Sequence, residues 1–139
     1  MQRREFAAAI AIDTRGRFLL QKRDNIPTIL YPDTLGLFGG VREGSETFLE
    51  CAVRELHEEL SYFIAPVRFE PLCGYDGLDW ADNARGLRAA FFVVRDIPLD
   101  QILVTEGNLA VIDADTFAKL QQKLTPSAAY AFAAFTASR

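Results

Sequence analysis

Glu55, Glu58 and Glu59 follow one another at i, i+3 and i+4 within a stretch whose apolar residues recur with a helical period. On a helix those carboxylates stand side by side, where each like-charged pair costs about 0.2–0.5 kcal/mol. They also fall in the last turns, where the macrodipole disfavours anions by roughly 0.3–1 kcal/mol per group. Two penalties on the same residues point to a compensating cation. An all-oxygen donor set with no His or Cys among it suits a hard divalent ion, Mg2+ or Mn2+. The plainer alternative is a solvated acidic face. Gly39 and Gly40, upstream of the helix, speak against it, because residues without Cβ atoms let a ligand approach the backbone.

The elements that must position these acids are legible nearby. Thr47 followed by Glu50 has the form of a capping box, which predicts a helix starting after Thr47. Leu49, Ala52, Val53, Leu56 and Leu60 form its apolar stripe and are expected to pack on a core. The paired glycines read as a loop that opens this helix.

The run Gly40-x5-Glu46-x7-Arg54-Glu55-Leu56-x-Glu58-Glu59 resembles the Nudix box, the signature of hydrolases acting on a nucleoside diphosphate linked to another moiety. Three positions depart from the pattern. Ser61 stands where the family has a glycine, Tyr62 where it has an aliphatic residue, and Phe38 where a proline often precedes the glycines. That glycine serves as a left-handed helix cap, so Ser61 is expected to cost about 1 kcal/mol or to shift the helix end. The resemblance implies an α/β fold, an α/β/α sandwich around a mixed β-sheet. It also implies a Mg2+-dependent (or Mn2+-dependent) pyrophosphohydrolase in which Glu58 and Glu59 are the main metal ligands and the Gly39 carbonyl completes the shell. Glu55 is then a further ligand or the base that activates water. Arg54 orients a neighbouring glutamate, and Glu46 anchors the loop. An acidic residue in a later loop commonly joins such a cluster or assists the water; Glu106 stands at that distance, with a simple turn residue as the other reading. Many members of the family are dimers, so a homodimer is compatible with the resemblance.

Composition bounds the rest. A chain of 139 residues, half of them hydrophobic, predicts one domain over residues 1–139. The net charge of −4 predicts no broad basic surface for a nucleic-acid polymer. Neither apolar run, residues 6–12 or 128–135, reaches the ~20 residues of a membrane span, so no membrane partner and a cytoplasmic location are expected. Cys51 and Cys73 lack metal-ligand spacing and read as buried thiols. His57 is the only histidine, which leaves zinc and Ser-His-Asp schemes without support.

Along the chain, residues 6–12 and 17–23 predict a hairpin, with Phe18, Leu20 and Lys22 on one face and Leu19, Gln21 and Arg23 on the other. Lys22 or Arg23 could reach substrate phosphates from the strand end, or simply pair with Asp24. Residues 24–33 and 76–86 read as loops that could read the substrate through Tyr31 and Trp80, the alternative for Tyr31 being packing against its own loop. A short strand over 35–38, a strand over 67–75 bulged or at an edge because of Pro71, and a doubly buried strand over 87–95 are expected. Further apolar runs at 102–104 and 109–112 flank Glu106. A helix capped by Asp113 or Asp115 and running to about Lys123, and a last helix starting at Thr125-Pro126, complete the chain. The substrate implied is a small nucleoside diphosphate derivative, bound partly through Gly40: a nucleotide sugar, a dinucleotide or a nucleoside triphosphate. A Nudix-like domain that binds such a ligand without cleaving it is the alternative.

Overall fold

The computed structural model describes residues 3–28 and 31–138. Its centre is one long strand, β1 (Arg3–Asp13), which is parallel to the other long strand, β6 (Gly86–Ile97). The opposite edge of β1 is shared. Ala11 and Ile12 pair antiparallel with β2 (Phe18–Lys22), whereas Phe6 to Ala9 pair antiparallel with β4 (Phe38–Val41). The sheet is completed by β3 (Leu35–Gly36) beside β2, β5 (Glu70–Leu78) on the outer edge of β6, and β7 (Asn108–Ile112) against β2. Because β2 and β4 split away from one strand, a fork opens between them.

Alternation along β1 and β6 divides the interior in two. Phe6, Ala8, Ile10 and Ile12 join Leu87, Phe91 and Val93 under α3 (Pro126–Ala137). Ala7, Ala9 and Ala11 join Phe92 and Val94 under α1 (Phe48–Leu60). Alanines on that side let α1 lie close to the strand, and its Leu56 and Leu60 are fully buried, worth roughly 1.5–3 kcal/mol each. Helices thus cover both faces of a mixed sheet, the α/β/α sandwich expected.

The capping box forms as predicted: Glu50 N–H donates to the Thr47 hydroxyl at 3.0 Å, and Thr47 N–H to the Glu50 carboxylate at 2.8 Å. Thr125 and Asp113 likewise cap α3 and α2 (Ala114–Ala118). Pro71 produces both anticipated features, since β5 pairs with β6 alone and its register slips between Pro71 and Cys73.

Several expectations need correction. Gly39 and Gly40 lie not in a loop but in β4, paired with Ala8 and Ala7; a Cβ on Gly39 would overlap the Ala7 carbonyl and Ala8. The loop before α1 is instead the stretch after Val41. The helix after Asp113 breaks at Lys119, and a short 3-10 turn, Gln121–Lys123, follows. Cys51 is buried but Cys73, on the edge strand, only partly so; both thiols are free. No helix among the described residues is long and apolar enough to cross a membrane.

Ser61 leaves the end of α1 where the pattern put it by adopting the left-handed conformation itself, φ 52° and ψ 37°. A side chain there is strained and exposed. Ser61→Gly is therefore expected to raise stability by roughly 0.5–1 kcal/mol. Chemical denaturation reads this as a higher midpoint at unchanged slope, and an unchanged or lower midpoint would refute the strain.

Candidate active site

The fork in the sheet and the C-terminal half of α1 enclose a cleft lined by Gln21, Gly39, Glu55, Glu58, Glu59, Thr105 and Glu106. Helical spacing puts Glu55, Glu58 and Glu59 on its helix side. The loop before β7 brings Glu106 from the opposite side, anchored where Gln21 Nε2 donates to the Glu106 carbonyl at 3.0 Å. Gln21 was not anticipated, although its signal was available: it alternates with Leu19, which packs under α1, so both face the helix.

One guanidinium organises the acids. Arg54 grips Glu46 with two nitrogens, Nε to Oε2 at 2.6 Å and Nη2 to Oε1 at 3.0 Å, and donates from Nη1 to Glu55 at 3.0 Å. Glu58 lies 3.5 Å from the same Nη1. The hydrogen bond from Arg54 holds the Glu46 carboxyl down to about 2, while burial pushes Glu55 above the usual carboxylate range. Glu46 in turn accepts from Glu43 N–H at 2.8 Å, so it ties the loop to the helix.

Glu59 takes its place from the strand. Gly39 N–H donates to its Oε1 at 2.7 Å. The amide of Gly39 is thus bonded to an acid of the cleft. Burial, with the charges of Glu55, Glu106 and Glu58, pushes the Glu59 carboxyl up to about 8 despite that hydrogen bond. Gly40 has a steric reason to be glycine, since a Cβ would overlap the Glu55 carboxylate.

The expected convergence on a single point needs correction. The carboxylates face one cleft, but no three His, Cys, Asp or Glu side chains among the described residues are gathered into a formed metal centre. Glu55 and Glu58 turn to Arg54, and Glu59 turns to Gly39. In chemistry the set still fits a hard divalent ion: every donor is an oxygen, and the crowding that raises Glu59 is charge that a cation would relieve.

Next to the cleft, and sharing Gly39 with it, is a second cavity on the α3 side of the sheet. Arg4, Phe6, Arg23, Tyr31, Gly40 and Trp80 are among its walls. The structure brings Arg23, Tyr31, Gly40 and Trp80 together around this one cavity. Lys22 is not among them. It lines a separate hollow with Asp33, Leu35 and Lys123, and Phe18 and Leu20, with which it alternates, pack away from α1, so it does not face the acid-lined cleft either. His57 is exposed, edge-on to Phe63 at 5.5 Å.

A NUDIX domain model matches residues 1–123. The chain belongs to the NUDIX family. Among solved structures of the fold, a MutT NUDIX hydrolase from Burkholderia pseudomallei is 28% identical, with 96% of each chain covered and a TM-score of 0.71. The solution structure of the E. coli ORF135 protein is 23% identical over 99% of this chain and 91% of that one, TM-score 0.73. A bifunctional NMN adenylyltransferase/ADP ribose pyrophosphatase from Francisella tularensis, complexed with AMP and a Mn ion, is 17% identical over 98% of this chain and 41% of that one, TM-score 0.69. No curated protein sequence matches the chain. As a Nudix hydrolase, it acts on phosphoanhydride bonds.

The Glu59 carboxyl sets a pH dependence with a definite sign. With an ordinary value of 4.5 and a folded value near 8, it keeps in the folded chain a proton that the unfolded chain releases between those limits. Its stabilising contribution is complete below 4.5 and is lost as pH rises toward about 8. Burial pushes Asp13 and Asp79 up, but bonds from Arg17 and Arg4 and from backbone amides leave both low, so their contributions vanish only in more acid solution. In EDTA, the melting temperature is expected to fall between pH 5 and 8 more steeply for the native chain than for Glu59→Gln. Parallel profiles would contradict the burial of this acid.

Proposed function

We propose that the chain is a divalent-metal-dependent pyrophosphohydrolase that cleaves a nucleoside diphosphate linked to another moiety. Nucleotide sugars, dinucleotides and nucleoside triphosphates are the candidate substrates. The observation that carries this reading is the adjacency of the acid-lined cleft and the cavity bearing Trp80, Tyr31 and Arg23, joined at Gly39. A diphosphate held at the junction would have its phosphorus atoms beside the acids and its nucleoside beside the aromatic rings.

Glu58 and Glu59, with Glu55, would hold Mg2+ or Mn2+. When bound, the ion neutralises non-bridging phosphate oxygens and lowers the pKa of a coordinated water. The remaining work belongs to the protein. Glu55 or Glu106 takes the proton of the attacking water; Glu55 has the advantage that burial raises its pKa toward neutrality. The water oxygen bonds to phosphorus as the bridging P–O bond breaks, and a nucleoside monophosphate and a phosphorylated remainder leave. Arg54 keeps Glu55 in one orientation through its 3.0 Å hydrogen bond. Gly40 supplies the space that the Glu55 carboxylate needs, and Arg23 and Arg4 are cations of the substrate cavity.

A chromatographic screen for nucleoside monophosphate formed from the candidate substrates with Mg2+ and Mn2+ tests this directly. On the best substrate, Glu55→Gln is expected to lower kcat by roughly 100-fold or more. Glu58→Gln and Glu59→Gln should raise the Mg2+ concentration needed for half-maximal rate. Native rates in all three variants would end the proposal, and calorimetric binding with no product under any metal would indicate a binding domain instead.

A further inference from the structure

A buried carboxylate stands behind the substrate cavity. The Asp79 side chain is wholly inaccessible, and donors occupy both of its oxygens. Oδ2 receives Arg4 Nε at 2.9 Å and Arg85 Nε at 3.1 Å, while Oδ1 receives Arg4 Nη2 at 3.0 Å and Ala81 N–H at 2.9 Å. Burial pushes the Asp79 carboxyl up, but those bonds hold it below the usual carboxylate range, so it is ionised. Such a group adds little net stability, because the cost of desolvation offsets the attraction. Its effect is on orientation, since it ties Arg4 of β1 to the loop that carries Trp80.

The way Asp79 holds Arg4 decides what Arg4 can do. The carboxylate takes the side edge of the guanidinium, Nε and Nη2, and leaves the terminal edge, made by Nη1 and the second Nη2 hydrogen. Among the described residues nothing accepts a hydrogen bond from Nη1. Asp79 is not on the cavity wall, whereas Arg4, with a side chain 28% exposed, is. The Phe6 ring, 5.4 Å from the guanidinium carbon and on the same wall, supports the fork from one side. Arg4, Phe6 and Ala8 share one face of β1, and Ala8 is paired with Gly39, where the cavity meets the acid-lined cleft. Four residues of strand put Arg4 about 13 Å from that junction, at the end of the cavity remote from the acids.

Resting on the nucleotide-hydrolase reading above, we propose that Arg4 is a substrate-binding residue. Its terminal guanidinium edge faces the cavity and bonds acceptor atoms of the nucleobase, away from the scissile phosphorus. Asp79 is a positioning residue that acts through Arg4. The guanidinium can only donate, and its planar pair of donors suits a base edge carrying carbonyl or ring-nitrogen acceptors. Every common base has such acceptors, so Arg4 supplies affinity for a base rather than a choice among bases. A lysine in its place would keep the charge and lose the fork. Because the contact is remote from the reacting phosphorus and is made equally in the ground and transition states, it lowers KM and leaves kcat alone.

The test uses the full chain in EDTA, with AMP, GMP, CMP and UMP titrated into native protein and Arg4→Lys, and ribose 5-phosphate as the ligand without a base. In parallel, turnover of the four nucleoside triphosphates is followed in Mg2+. The tightest monophosphate is expected to bind Arg4→Lys about 10-fold more weakly, with KM raised to match and kcat within about 2-fold of native. Ribose 5-phosphate should bind more weakly than the monophosphates and change by less than about 2-fold, since it lacks the acceptors. Asp79→Asn should raise KM in the same way, and the double variant should lie within about 2-fold of the worse single one, because both changes remove one contact. Multiplied KM effects or a collapse of kcat in Asp79→Asn would instead mean a purely structural role. Should Asp79→Asn fail to fold, Arg4→Lys, which leaves Asp79 paired with Arg85, still carries the test. Unchanged monophosphate binding in Arg4→Lys, an equal loss for ribose 5-phosphate, or no binding of any monophosphate to native protein overturns the proposal. Arg4-dependent binding without turnover of any triphosphate would sustain it and sink the hydrolase reading; turnover with a KM that Arg4→Lys leaves untouched would do the reverse.

Discussion

Carboxylates do not gather at the edge of a low-dielectric cleft without something to hold them, and here the Arg54 guanidinium does much of the holding. Its planar fork spans Glu46 on the loop and Glu55 on the helix, with Glu58 one turn further along, close enough to share the charge. Glu59 lies beyond that reach and is managed differently, by a backbone amide from the strand and by keeping its proton. The arrangement is one cation short. That deficit distinguishes the cleft from a closed salt-bridge network and is what the proposed divalent ion would fill.

The fold exists around this deficit in a specific sense. The edge of β1 is divided between β2 and β4, and the separation of those partners opens the cleft at Gly39. A continuous pairing along β1 would leave no room. The alanines of β1 that face α1 bring the helix close enough for Glu59 to meet the Gly39 amide, and both paired glycines tolerate no side chain, one because of β1 and the other because of Glu55. Packing and chemistry therefore impose the same small residues.

The cavity proposed to hold the substrate lies on the other face of the sheet. There the charge is balanced in place: Asp79 is saturated by two arginines and an amide, which makes its loop rigid and leaves donors exposed to the cavity. One cavity wall is aromatic and braced by Tyr130, whose hydroxyl donates to the Gly74 carbonyl at 2.7 Å and links α3 to the edge strand. The acid-lined cleft and the cavity bearing Arg4 and Arg23 are thus kept apart by β4, with Gly39 the residue common to both.

Interactions within a few residues of one another were readable from the chain alone. The capping box, the apolar stripe of α1, the row Glu55, Glu58, Glu59, the bulge at Pro71 and the cap at Thr125 all follow from helical or extended periodicity and from side chains that reach their own backbone. The motif from Gly40 to Glu59 belongs to the same class, because its register is the geometry of a single helix and its approach. Decisions that depend on partners far along the chain were not readable. Whether Gly39 sits in a loop or a strand is set by Ala8; whether Lys22 or Gln21 reaches the acids is set by which helix covers each face; and the junction of Arg4 with Asp79 spans 75 positions. Local sequence determined which groups could do chemistry, because bonded neighbours dictate their spacing. Only the tertiary structure decided which of them meet, because burial and pairing across the sheet depend on the whole packed chain.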